Sequence, residues 1–126
     1  MVSTASVAAE SHTALAQAAQ CWWSAASPLC STFFEISTEF NHQPHEQGQV
    51  RLLNEMADIY KGIENISHPK EIDALRSDLL ESMTELLNSF ARELKRDKDD
   101  AFRSLDRGLV HILRFCVALE KLDLHF

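Results

Sequence analysis

Basic residues are missing from the first 50 positions of this sequence: no Lys or Arg occurs before Arg51. That absence argues against an arginine-rich transit peptide and against a signal peptide with a basic head. Glycine and proline number three each, too few to punctuate the turns of an all-β domain but sufficient for a few long helices. The cysteines, Cys21, Cys30 and Cys116, are odd in number and lack metal-type spacing. They read as free thiols in a reducing, cytoplasmic setting. No apolar run approaches the roughly 18 residues of a membrane span. The net charge of −7 argues against nucleic-acid binding, which needs a basic surface to displace counterions.

What is present divides into two parts. Residues 1–50 are rich in Ala, Ser and Thr and carry only Glu10, Glu35, Glu39 and Glu46 as acids. Such a start suits an alanine-rich helix, or the export region of a secreted bacterial protein. Residues 51–126 hold all 12 basic residues and a dense mixture of both signs. We expect a single helical domain, with a Trp-bearing arm and loop over 1–48 and regular amphipathic helices over 49–122. The ending at Leu124-His125-Phe126 is also compatible with the N-terminal domain of a longer protein.

Hydrophobic spacing predicts the helices. Residues 3–26 carry Leu15, Ala18, Ala19, Trp22, Trp23 and Ala26 at three- and four-residue steps, with Ser3 or Thr4 as a cap. Ser27-Pro28 reads as a break or kink before a second stretch, about 28–41, with Leu29, Phe33, Ile36 and Phe40 on one face. Asn41 to Gly48 is a loop. On the helix that starts at Pro69, Ile72, Leu75, Leu79, Met83, Leu86, Phe90 and Leu94 lie on a single stripe, and on the helix before it Leu52, Met56, Ile59, Ile63 and Ile66 step at heptad spacing. The last helix shows the same spacing in Phe102, Leu105, Leu109, Ile112, Cys116 and Leu119, which makes that stripe its expected core face. The charged run Lys95–Asp100 predicts a turn at about 96–99, the alternative being one rod from Pro69 to Leu122. The expected fold is an all-α, antiparallel four- to five-helix bundle with up-and-down topology.

No motif assigns a reaction. One Glu-x-x-His pair, Glu39 with His42, falls short of the two that a di-metal bundle site requires. His42, His45 and Glu46 lack further ligands for zinc. His111 beside the last stripe reads as a satisfied boundary residue. No nucleophile elbow, phosphate loop or Cys-x-x-Cys occurs. The expectation is therefore a non-enzymatic module without cofactor or metal. It would act through helix packing, as an adaptor or a homodimer, with a protein partner or a second copy. Adjacent indoles on a helix differ by about 100°, so that one of Trp22 and Trp23 is expected in the core and the other at a flank that forms the candidate interface, the alternative being that both are core. An alternative draws on the bundle end that gathers His42, His45, Lys95, Arg96 and Lys98. That end would meet phosphate or lipid headgroups at a membrane surface.

Overall fold

The computed structural model describes the backbone of residues 4–125 and the side chains of residues 14–125. Among the described residues the chain is four α-helices and one short 3-10 turn, with no strand. Helix α1 runs Thr4–His42, α2 Glu46–Glu64, the 3-10 turn Lys70–Ile72, α3 Asp73–Leu94 and α4 Lys98–Lys121. The cap expected at Ser3 or Thr4 lies outside the described side chains.

Pro28 neither breaks α1 nor starts a new helix; a single 39-residue helix of about 58 Å passes through it. A proline in a helix interior withdraws one N–H and frees the carbonyl four residues before it. Here both Pro28 and Ser24 are exposed, so the ring and the freed carbonyl belong to the solvent side of α1. The Thr32 hydroxyl donates to the Pro28 carbonyl at 3.0 Å, adding a bond on the far side of the ring. The helices therefore number four rather than five.

The charged run at 95–100 does turn the chain. Arg96 adopts φ 61°, in the left-handed region. The Arg96 N–H donates to the Glu93 carbonyl at 3.0 Å and the Asp97 N–H to the Arg92 carbonyl at 2.9 Å. This is the Schellman pattern of a helix end, with arginine where glycine is usual. Asp97 then caps α4 by accepting from the Asp100 N–H. The long-rod alternative is excluded.

The core forms where the first three helices meet. Leu52, Met56 and Ile63 of α2 and Leu75, Leu79, Met83 and Phe90 of α3 are buried, as their apolar stripes predict. From α1 come Trp22, Phe33 and Phe40. Phe40 stacks on Phe90 with ring centroids 4.2 Å apart, which brings the 41–45 and 95–97 loops to the same end of the bundle. At the opposite end Trp23 Nε1 donates to the His125 carbonyl at 2.7 Å, tying α1 to the segment beyond α4.

Helix α4 departs from expectation. Its buried residues are Ala101, Ser104, Gly108, Phe115 and Leu119, and of the predicted stripe only Leu119 is fully inside. The cause is small side chains. Ser82 and Ser89 of α3 face Ala101, Ser104 and Gly108, and the two backbones come close enough for Ser89 Oγ to donate to the Ala101 carbonyl at 2.8 Å. A Cβ built on Gly108 would lie 3.3 Å from the Ser82 carbonyl oxygen and 3.3 Å from Glu85 Cβ. Close packing of small faces secures dispersion contact along the helix, as a larger stripe would not at this separation. Polar pairs frame the seam: Arg92 with Asp100 at 3.1 Å, Arg107 with Glu85 at 3.3 Å and His111 with Asp78 at 3.1 Å.

Between α1 and α4 the relation is reversed. No Cα of one comes within 8 Å of a Cα of the other among the described residues. At one end the gap is filled by aromatic rings, with Phe115 edge-on to Trp22 at 6.4 Å and to Trp23 at 5.3 Å. Further along, Phe34, Leu86, Leu105 and Ile112 line a shallow apolar groove. The bundle is closed on three sides and thinly closed on the fourth.

Candidate interaction face

The two tryptophans are 2% and 5% exposed, so neither is available as a surface for another molecule. Their 100° separation is accommodated inside the chain, because Phe115 and the residues after α4 wrap the flank that the sequence left open. The interface expected at Trp22 and Trp23 is thereby corrected: the pair is core.

His42, His45, Lys95, Arg96 and Lys98 are all exposed and lie on the loops that the Phe40–Phe90 stack brings to one end. Glu46, Asp97 and Asp99 stand among them, also exposed. No group of three or more His, Cys, Asp or Glu is arranged to hold a metal among the described residues, and Glu39 and His42 are both open to solvent. His111 is a boundary residue paired to Asp78.

Cys30 is fully buried, and burial, with a smaller push from the Cys116 thiol, raises its pKa to about 12. It is an inert core thiol. Since Cα atoms of α1 and α4 stay beyond 8 Å, a Cys30–Cys116 disulfide is out of reach without backbone movement.

Of the α4 stripe expected in the core, Phe102, Leu109 and Cys116 lie outside, joined there by Leu113, which the stripe did not include. Phe102 is 64% exposed, Leu113 62% and Leu109 51%, with Val110 and Val117 half exposed beside them. At about 100° per residue, Phe102, Leu109, Leu113 and Cys116 share about 60° of the helix surface, and the two valines double that width. This is a continuous apolar stripe along α4, not a scatter of single residues. On one margin it runs into the Leu105–Phe34 groove over the thin α1–α4 side. On the other, Val110, Leu113 and Val117 border a depression with Asp78, Arg114 and Lys121.

Asp100, Arg107 and His111 of α4 pair with α3, and Asp100 also takes Arg103 of its own helix. Asp106 within the stripe, Lys98 and Glu120 at its ends, and Asp99, Arg114 and Lys121 along its margin make no ion pair among the described residues. Small residues at heptad positions, Ala101, Ser104 and Gly108 against Ser82 and Ser89, were the signal that α4 turns this way. No helix among the described residues is long and apolar enough to cross a membrane. Compared with known protein families, curated proteins and solved structures, the chain matches none.

Proposed function

We propose that the chain is a non-catalytic interaction module that packs the outward face of α4 against a helix of another molecule or another copy. The observation that carries this reading is the continuous exposure of Phe102, Leu109 and Leu113 on a helix that already has a complete second face on α3. Leaving that much apolar surface in water is unfavourable by about 25 cal/mol per Å². A helix laid along the stripe removes it from water, in the helix-in-groove manner. The cations at the 41–45 and 95–97 loops stand among carboxylates, and the lipid-headgroup reading therefore has less support than the α4 face.

The test is the size of the assembled protein in extracts of cells that express it with a tag. The wild type should migrate well above its 14.3 kDa chain mass. The double substitution Phe102→Glu/Leu113→Glu should migrate as monomer with unchanged helicity and melting temperature. Wild type and variant both migrating as monomer would remove the proposal.

A further inference from the structure

We infer that the occupant of the α4 face is a second copy of this chain, its α4 laid antiparallel about a two-fold axis at Val110. The inference rests on the reading of α4 as an interaction face and adds who binds there and in which direction. Its ground is the placing of the charges left unpaired within the chain. Asp106 lies four residues before Val110 and Arg114 four after; Asp99 lies 11 before and Lys121 11 after. Lys98 and Glu120, 12 before and 10 after, nearly repeat the pattern with the signs exchanged. An antiparallel partner therefore sets Asp106 against Arg114, Asp99 against Lys121 and Lys98 against Glu120, each twice by symmetry.

The angular positions agree. In an antiparallel pair each margin of a helix meets the same margin of its partner. Asp99, Asp106, Arg114 and Lys121 all lie toward the Val110–Val117 margin, while Glu120 lies in line with Phe102 and Lys98 about 40° from it on the Cys116 side. A parallel pairing would instead join opposite margins, leaving Arg114 and Lys121 facing the Leu105–Ile112 margin, which carries no carboxylate, and bringing the near-central Asp106 toward its own copy, an arrangement that like charges disfavour. Asp106 stands within the apolar stripe, and a carboxylate there specifies register more than it adds affinity.

The area is adequate for a modest dimer. Phe102, Leu109, Val110, Leu113 and Val117 together expose roughly 500 Å² at side-chain areas of about 150–200 Å² each, against about 800 Å² per partner in a standard interface. The six bordering charged side chains supply much of the difference. An isologous face is also the commonest way in which identical chains associate.

Sedimentation equilibrium of the purified full chain, from about 1 to 500 µM, tests this directly. The wild type should dimerise. Asp106→Arg and Arg114→Asp should each weaken dimerisation about tenfold, since each turns two attractions into repulsions. The double variant Asp106→Arg/Arg114→Asp should return to within about threefold of wild type, a recovery that misfolding does not produce. Dimerisation abolished by Leu113→Glu but indifferent to the charge exchange would overturn the antiparallel pairing and leave the face standing. A chain monomeric at every concentration would overturn the second copy as occupant, and the extract measurement then decides the face by itself. A monomer that floats with anionic phosphatidylserine vesicles, and no longer does so as Leu113→Glu, would also overturn it and give the face to a membrane.

Discussion

Consider alanine placed at Gly108 and, separately, at Gly62. Both glycines are inside helices, where alanine is favoured by about 1 kcal/mol through propensity alone. At Gly62 the new methyl would lie 3.5 Å from Leu29 Cδ1, an ordinary contact with a flexible side chain, so the propensity gain survives. At Gly108 it would meet the Ser82 carbonyl oxygen and Glu85 Cβ, both at 3.3 Å and both fixed to the α3 backbone. Relief there requires the two helices to separate by a few tenths of an ångström, at the expense of the Ser89–Ala101 hydrogen bond and the Ala101 and Ser104 packing. Overpacking of this kind costs about 1–3 kcal/mol. Net of propensity, Gly108→Ala should destabilise by about 1 kcal/mol while Gly62→Ala stabilises by about 1 kcal/mol. At about 2.1 cal/mol/K per residue of unfolding entropy, each amounts to about 4 °C in Tm, in opposite directions. Thermal unfolding followed by circular dichroism at equal protein concentration reads both. Equal increases in Tm would refute the close α3–α4 approach, and with it the explanation for the outward turn of the α4 stripe.

Two further outcomes follow from local chemistry. Arg96 holds a left-handed φ of 61° that glycine adopts without penalty, so Arg96→Gly should stabilise by about 0.5–1 kcal/mol in urea titration; a loss of stability would show that the turn at 95–97 is held otherwise. At a protein concentration low enough to keep the chain monomeric, the Cys30 thiol, raised to about 12, should stay unlabelled by a maleimide at pH 8 while Cys21 and Cys116 react, giving two adducts by mass and three only after unfolding. Because the folded pKa lies above that of the unfolded chain, Cys30 supports the fold fully below pH 9. That support declines as the pH climbs toward 12, where only the unfolded chain ionises freely. A Cys30→Ala variant should lose less stability over that range, and an identical loss would sink the argument.

How far the sequence could be read differs from helix to helix, and for physical reasons. The α2 and α3 stripes were legible because large apolar side chains at three- and four-residue steps have one way to leave water, namely against one another. On α4 the same rule misled. Phe102, Leu109 and Leu113 outrank Ala101, Ser104 and Gly108 in hydrophobicity, but the small residues allow the nearer backbone approach, and Ser82 and Ser89 complement them. Hydrophobic ranking ignores shape, and here shape chose the face. Pro28 misled in a related way: Ser27-Pro28 has the form of a cap and a first turn, yet the freed carbonyl at Ser24 belongs to the solvent side and the helix continues. The turn at Lys95–Asp100 was legible from the charged run, though not the left-handed arginine that makes it. Of the candidate face, Phe102, Leu109 and Cys116 were in view as part of a stripe; Val110, Leu113, Val117 and the outward direction were not.

The tryptophan pair supplies a sharper test of that correction, because the two indoles are buried in different states. Trp23 Nε1 donates to the His125 carbonyl at 2.7 Å, whereas Trp22 Nε1 is buried with no hydrogen-bond partner. Replacing either by phenylalanine removes part of a ring and leaves a void costing about 1–2 kcal/mol. Trp23→Phe also loses a hydrogen bond of about 1 kcal/mol that fastens the chain end to α1. Trp22→Phe instead removes a desolvated, unpaired N–H, which returns about 1–3 kcal/mol and offsets the void. Trp22→Phe should therefore be close to neutral and Trp23→Phe destabilising by about 2–3 kcal/mol, compared in the same urea titration. Neither should alter the association state, since neither ring reaches the α4 face. If Trp23→Phe proved the milder change, the His125 tie would not be holding the end of the bundle. If either substitution altered association without altering stability, the indoles would be surface after all, and the α4 stripe would lose its claim as the docking face.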